Sequence, residues 1–148
     1  MRLITKKLCS DPWINDVPLS YNSCPNGSFS GYFLHNKKLA AIARVYANKD
    51  INKVELTDIY VKKEYRGKVG PNNFKWSDSL MTSILNAIKR RNFKKIWLWT
   101  TLDNIIAIKL YEKYGFKSKD FPENKKKQLY KKYKWLKGKE LIYMTRNI

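Results

Sequence analysis

A short glycine-containing stretch precedes a helical pattern and carries two cations. Residues 66–70, Arg-Gly-Lys-Val-Gly, lead through PNNFKW into SDSLMTSIL, whose apolar residues recur at helical spacing. Glycine lets a backbone approach an anion closely, and a helix N-terminus offers unpaired N–H groups and a positive dipole end. With Ser77 as the N-cap, the stretch predicts a phosphate or pyrophosphate site. The alternative is a connecting loop in which Arg66 and Lys68 are solvated.

The charge of the chain predicts attraction to polyanions. Thirty-one Lys and Arg residues oppose twelve Asp and Glu residues, which gives a formal charge of +19. Lysine dominates, and because it is a point charge it does not distinguish bases. The segment KKKQLYKKYKWLKGK interleaves lysines with Tyr130, Tyr133 and Trp135. Such a pattern either binds single-stranded nucleic acid by charge and stacking or forms a solvated hairpin whose aromatic rings pack inward.

Length and composition suit one soluble domain over residues 1–148. The chain is 43% hydrophobic and 14% aromatic, enough for a core. It has no apolar run long enough to cross a bilayer and no signal-peptide pattern at its start, so we expect a cytoplasmic protein. In that compartment Cys9 and Cys24 are expected as free thiols. No metal site is expected, and His35, the one histidine, is expected at the surface of a hairpin turn.

The order of the predicted elements indicates a mixed α/β fold. Alternation and helical spacing predict a strand at 2–8, a hairpin within 31–47, a strand at 52–61, a helix ending near 91, a strand at 95–100, a helix ending at 115 and a strand at 140–148. The strand–helix–strand unit implies a parallel pair of strands. The N-terminal half is expected to form an antiparallel meander. We therefore expect a mostly antiparallel sheet with a central parallel pair and helices packed on its faces.

Residues 53–117 resemble the core of the GNAT superfamily of acetyl-CoA-dependent N-acyltransferases. The first matching piece is VELTDIYVKKEYRGK followed by a helix, and the second is N-x-x-A-x-x-L-Y-E-K-x-G-F, beginning at Asn104. In the family the loop resembles Q/R-x-x-G-x-G/A and runs directly into the helix. Compared with that pattern, VGPNNF (residues 69–74) corresponds to an insertion. Lengthening a loop in this way costs about 1 kcal/mol or less. We therefore expect a working but remodelled phosphate site.

The resemblance implies direct transfer of an acetyl group from acetyl-CoA to a primary amine in a ternary complex. A backbone N–H of the strand over 59–61 would bind the thioester carbonyl, and the pantetheine arm would lie beside KIWLWT and bind Asn104. Tyr111 would protonate the leaving thiolate. Lys113 would reach the 3′-phosphate or else be an ordinary exposed helix lysine. The implied cofactor-binding residues are Ile59, Tyr60, Val61, Arg66, Gly67, Lys68, Val69, Gly70, Ser77, Asn104, Tyr111 and Lys113.

The base that takes the proton of the amine stays open among three candidates. The resemblance favours Glu55, since family members often carry a glutamate on this strand. Asp58, expected on the opposite face by strand alternation, and an ordered water path are the others.

The acceptor side departs from the family. The proline-containing segment 9–29 leaves no room for the two helices that usually wall this side. We therefore expect either an open site that suits a protein chain end or lysine, or closure by the loop of Trp13 and Tyr21. The alternative function is a GNAT-like protein that has lost normal cofactor use and binds nucleic acid or another polyanion.

Overall fold

The computed structural model describes residues 1–48 and 50–148. Its helices and strands are β1 Ile4–Lys7, β2 Phe29–His35, β3 Lys38–Asn48, β4 Lys53–Val61, α1 Trp76–Arg90, β5 Lys95–Thr101, α2 Ile105–Lys113, β6 Lys117–Lys119, α3 Glu123–Lys132 and β7 Leu141–Asn147. The strands form a sheet in the order β1-β2-β3-β4-β5-β7-β6, mostly antiparallel with one parallel pair, β4 and β5. The predicted fold class is therefore confirmed.

The chain divides into two compact units. The first comprises residues 1–96 and residue 148, and the second residues 97–147. A single domain over residues 1–148 stays a prediction. No helix among the described residues has both the length and the apolar character needed to cross a membrane.

The first unit is built on the antiparallel meander β1–β4. Residues 39–47 of β3 are all buried, as expected for a strand that is covered on both faces. Helix α1 covers one face so closely that a Cβ on Gly31 would lie 2.7 Å from the Ile84 side chain. Trp13 and Val17 lie in the segment between β1 and β2. They pack on a separate hydrophobic cluster around Tyr32 and Ile42. That segment contains a turn at 13–17 and no α-helix, in agreement with the expectation that two helices would not fit.

Strand β4 contains a bulge at Asp58. Ile42 pairs with Tyr60, but Arg44 pairs with Thr57, so β4 has one residue more than β3 between these pairs. Asp58 has a φ of 53°, in the left-handed region. A bulge of this kind bends its strand and re-aims the side chains beyond it.

Helix α1 begins at Trp76 with Lys75 as its N-cap residue, and no side chain caps it. The prediction of Ser77 as the N-cap is therefore wrong: Ser77 is the second helical residue. The physical reason is that the buried indole of Trp76 fixes the helix start one residue before Ser77. The end of the helix at Arg90, with cations in its last turn, agrees with the prediction.

The second unit contains β6, β7, α2, α3 and most of β5. Helix α2 stops before Gly115, whose φ is +87°, as the sequence predicts. The alternative that KKKQLYKKYKWLKGK, residues 125–139, forms a solvated hairpin is wrong, because this segment contains most of α3 and a 3-10 turn at 134–136. Leu129 is the buried residue of this lysine-rich helix, so hydrophobic periodicity gave almost no signal. Pro122 before the helix, Glu123 in its first turn and lysines in its last were the available signals.

Cys9 and Cys24 form a disulfide with Cα atoms 5.9 Å apart, so the expectation of free thiols is wrong. The end of β1 lies beside the start of β2, and there the N–H of Leu8 donates to the carbonyl of Ser28 at 3.3 Å. This return brings together two cysteines that are 15 positions apart in the sequence. Their spacing alone carried no sign of the pairing.

We expect reduction of the disulfide to destabilise the first unit. A cross-link that closes a loop of 15 residues stabilises the folded state by about 3 kcal/mol in the chain-entropy description. Urea unfolding with and without reductant measures the loss, and the double variant Cys9→Ser/Cys24→Ser should unfold like the reduced protein and ignore reductant. Equal midpoints for oxidised and reduced protein would contradict the expectation.

Candidate functional site

Arg44 is a completely buried cation at the centre of the first unit. Its Nε donates to Asp11 Oδ2 at 2.8 Å, and its Nη1 lies 3.3 Å from Asp58 Oδ2. The same Nη1 donates to the carbonyls of Val17 and Pro18. A buried charge is tolerated only when it is paired and hydrogen-bonded. Arg44 therefore joins residues 11–21, here called the N-terminal strap, to β3 and β4.

The strap ends on the carboxylate of Glu55. The hydroxyl of Tyr21 lies 2.7 and 2.8 Å from the two Glu55 oxygens, and Glu55 is only 5% exposed. The Tyr21 ring packs edge-on against the Tyr46 ring, with 4.9 Å between the centroids. The backbone N–H of Tyr21 donates to the Tyr46 hydroxyl at 3.3 Å. Burial raises the pKa of Tyr46 to about 12, so its hydroxyl stays neutral beside the carboxylate. Glu55 is thus a buried carboxylate that is hydrogen-bonded to a tyrosine.

Asp58 lies on the same side of β4 as Glu55, because the strap contacts both residues. Ser20 donates from its hydroxyl to Asp58 Oδ1 and from its N–H to Oδ2 at 3.3 Å, and its hydroxyl lies 3.3 Å from that of Thr57. The predicted placement of Asp58 on the opposite face is therefore wrong. The bulge inserts a residue and reverses the alternation at this point. Asp58 is also paired with Arg44, whereas a hydroxyl binds Glu55.

The glycine loop, residues 65–75, follows β4 after residues 62–64. Arg66 folds back on the strand, with its Nε donating to the Val61 carbonyl at 2.7 Å and its guanidinium 5.2 Å from the centre of the Tyr60 ring. Gly67 has a φ of +70°, which glycine adopts without steric cost. A bridge between Val69 and Lys75 closes the inserted residues into a small antiparallel turn. The insertion is therefore ordered by its own backbone bonds.

An aromatic cluster fixes the glycine loop to the start of α1. The buried Trp76 ring contacts Phe33, His35 and Tyr65 at centroid distances of 6.2, 5.8 and 5.2 Å. A Cβ on Gly70 would lie 2.7 Å from the Trp76 indole, so only glycine fits there. His35 is half-buried and its Nδ1 lies 3.0 Å from the Tyr65 hydroxyl. The expectation of a surface histidine is wrong, because the rings of Tyr65 and Trp76 pack against His35.

The remaining predicted residues lie in the second unit. Asn104 is the N-cap of α2: its Oδ1 accepts from the Ala107 N–H at 3.3 Å, and its Nδ2 donates to Thr100 Oγ1 at 3.3 Å. Tyr111 is 8% exposed, and burial raises its pKa to about 12. Its ring contacts Phe116 at 6.1 Å. Lys113 is exposed, with its Nζ 5.8 Å from the centre of the Tyr114 ring.

The sequence-predicted residues of the first unit thus lie on β4, in the glycine loop and, for Ser77, in the first turn of α1. Sequence reasoning missed the roles of Arg44 and Trp76, and it named Tyr21 only as part of a loop that closes the acceptor side. An arginine inside the apolar run LAAIARVYA was a signal for the first, since a cation in a covered strand needs partners. Among the described residues, no group of three or more His, Cys, Asp or Glu could hold a metal ion.

The model of the acetyltransferase (GNAT) family matches residues 5–116. The chain belongs to the GNAT acetyltransferase family. The match includes β4, the glycine loop and the piece that begins at Asn104. It confirms the family resemblance, and with it the acyltransferase class of the chain's relatives. No protein of curated function matches the sequence significantly.

Solved GNAT structures share this fold. A Klebsiella pneumoniae protein described as an acyl-CoA N-acyltransferase has a TM-score of 0.66 and 12% identity, with 98% of this chain and 95% of that one covered. PaiA N-acetyltransferase of Thermoplasma acidophilum, in complex with coenzyme A, scores 0.58 at 19% identity over 82% of this chain. Ribosomal-protein-S18-alanine N-acetyltransferase of Escherichia coli scores 0.59 at 21% identity over 82%. The chain spans 60% of the PaiA chain and 68% of the E. coli chain.

We expect Asp11→Asn to unfold the strap. The substitution leaves the buried Arg44 with one fewer charged partner, and breaking a buried ion pair from one side costs about 3–5 kcal/mol. Asp16→Asn, an exposed change in the same strap, should stay within about 0.5 kcal/mol of the parent. Chemical denaturation of the three proteins measures both free energies of unfolding. If both variants lost the same small amount of unfolding free energy, Arg44 would not hold the strap.

Proposed function

We propose that this protein transfers the acetyl group of acetyl-CoA directly to a primary amine in a ternary complex. The observation that carries the proposal is the position of the hydrogen-bonded Glu55 carboxylate on the strand that leads into the glycine loop. A base and an anion-binding element then lie on one segment of a chain that belongs to an acetyltransferase family. The complex of PaiA with coenzyme A supports acetyl-CoA as the acyl donor.

The glycine loop and the start of α1 would hold the pyrophosphate of acetyl-CoA. Gly67 and Gly70 leave its backbone accessible, Arg66 and Lys68 add charge, and Ser77 contributes an N–H from the first helical turn. Asp78 places a carboxylate in the same turn, so the two cations also have to offset its repulsion of the phosphates. In this assignment the aromatic cluster around Trp76 keeps the remodelled loop in a binding geometry. Val69 and the rest of the insertion lengthen the loop without removing the helix end.

The end of β4 would bind the thioester carbonyl. Backbone N–H groups between Ile59 and Val61 lie just beyond the bulge, where the extra residue disrupts the regular ladder. Such a donor stabilises the charge that develops on the carbonyl oxygen. Arg66, bound to the Val61 carbonyl, fixes the end of this strand relative to the loop.

Glu55 would take the proton of the attacking amine. Because both of its oxygens accept from the Tyr21 hydroxyl, the proton passes through that hydroxyl or through an ordered water. As the C–N bond forms, the C–S bond breaks and the electron pair leaves on sulfur. Asp58 is the weaker candidate for the base, since its carboxylate is bound by Arg44 and Ser20.

Tyr111 would serve the leaving sulfur. With a pKa of about 12, its hydroxyl is protonated at neutral pH and can donate a hydrogen bond to the thiolate. A free thiol has a pKa of about 8.5, so complete proton transfer from this tyrosine is unfavourable. We therefore propose that Tyr111 stabilises the thiolate by a hydrogen bond. Solvent then supplies the proton that ends on sulfur. Asn104 would bind the pantetheine arm and Lys113 the 3′-phosphate.

The acceptor that we propose is a primary amine on a bulky molecule such as a protein chain end or lysine. The strap replaces two helices by a chain of turns, which leaves less wall on that side. The E. coli neighbour is an enzyme for an alanine of a ribosomal protein, which makes a protein acceptor a reasonable first test. We place the protein in the cytoplasm, where acetyl-CoA is made.

We expect Glu55→Gln to lower kcat about 10²- to 10⁴-fold, the usual contribution of a general base. The loss should shrink as pH rises towards the pKa of the acceptor amine, because the amine then arrives neutral. Release of the CoA thiol in the presence of alanine-ended and lysine-containing peptides measures the rate.

Glu64→Gln, an exposed change in the 3-10 turn after β4, is the matched control and should keep the parent rate. If Glu55→Gln retained the parent rate at neutral pH, Glu55 would not be the base. If no acceptor turned over with the parent protein, transfer itself would be in question.

A further inference from the structure

Residues 117–139 of the second unit form a concentrated basic surface, here called the basic segment. Ten lysines oppose two carboxylates, Asp120 and Glu123, within this stretch. The segment contains β6, α3 and a 3-10 turn at 134–136, so the lysines are presented on ordered structure. None of the roles proposed for acetyl transfer uses them.

Three neighbouring aromatic rings form a row, two of them in the basic segment and one in β5. The Trp99 and Tyr133 centroids are 5.9 Å apart, and those of Tyr133 and Trp135 are 6.4 Å apart. Trp135 is 61% exposed, an unusual state for the largest apolar side chain. Lys132 lies 5.5 Å from the Tyr133 ring centre. A lysine thus lies beside the central ring of this row.

Other residues hold the segment in place, so the exposed ring is not needed for its packing. Leu129 of α3 and Leu136 of the 3-10 turn are buried. The Tyr130 hydroxyl donates to the Lys139 carbonyl, and the N–H of Lys139 donates to the carbonyl of Leu136 at 2.9 Å. Trp135 is therefore presented on a formed turn, and binding there has little ordering cost.

We propose that the basic segment binds single-stranded nucleic acid, with lysines on the phosphates and bases stacked on Trp135 and Tyr133. Lysines supply a charge that follows any phosphate backbone, and aromatic faces accept any base. An acidic peptide would pair with the lysines but would leave the indole unused. A membrane surface needs a helix with an apolar face, and the one buried apolar residue of α3, Leu129, already packs inside the protein. Recognition would be independent of sequence.

The activity would be separate from acetyl transfer and would bring the protein to acceptors that are bound to nucleic acid. Fluorescence anisotropy with a fluorescein-labelled oligo(U) tests it, beside inorganic polyphosphate as a competitor that has charge but no bases. We expect Trp135→Ala to weaken oligo(U) binding about tenfold, since one stacked base is worth about 1–3 kcal/mol, and to leave competition by polyphosphate unchanged. Circular dichroism establishes that the variant is folded.

A charge pair provides the second arm of the experiment. Lys131→Ala/Lys134→Ala should reduce the slope of log affinity against log salt by about 1.4, at about 0.7 for each phosphate contact on a single strand. Lys37→Ala/Lys38→Ala, two exposed lysines at the turn between β2 and β3, should leave that slope as it is. The proposal is overturned if Trp135→Ala has no effect on oligo(U), if it weakens polyphosphate equally, or if polyglutamate binds as tightly as oligo(U).

Discussion

The buried guanidinium of Arg44 is the group on which the arrangement of the first unit depends. A charge removed from water must find partners of opposite sign, and those partners come from two other parts of the chain, Asp11 in the strap and Asp58 in β4. Two strap carbonyls accept further bonds from its Nη1. A strap without helices has few backbone bonds of its own, and Arg44 supplies the bonds that fix its course. Tyr21 lies over Glu55 because the strap is held on this side.

Strand β4 then turns that arrangement into a candidate site. It carries Glu55 before the bulge and Ile59 to Val61 after it, and it ends shortly before the glycine loop. Trp76 occupies the point where a shorter loop would enter the helix directly, and its ring contacts fix the inserted residues. The insertion therefore changes how the loop is held, and the order strand, loop, helix is kept.

Periodicity was enough for the architecture and for the motif residues. The apolar patterns of β2 to β4 and the helical spacing of Leu80, Ile84 and Ile88 gave the strands and α1 nearly at their observed bounds. Gly115 marked the end of α2. These features are local, because each depends on residues a few positions apart.

The misplaced features depend on contacts between distant residues. Asp58 lies on the unexpected face because one bulge residue reverses the alternation, and no pattern in β4 announces it. Cys9 and Cys24 meet only because β1 and β2 pair, and Tyr21 finds Glu55 across 34 positions of sequence. Helix α3 was missed for a different reason: its surface is polar nearly all round, so hydrophobic spacing says little about it.

Calorimetric titration with acetyl-CoA, beside tripolyphosphate at the same moderate salt, tests the central claim most directly. If the glycine loop and β4 form a working acyl-donor site, acetyl-CoA binds at one site per chain and at least about tenfold more tightly than tripolyphosphate, a difference of about 1.4 kcal/mol. Equal affinity for the two, or binding of the polyphosphate alone, would show that the net positive charge is responsible. The account of this chain as an acetyl-CoA-dependent enzyme would then be wrong.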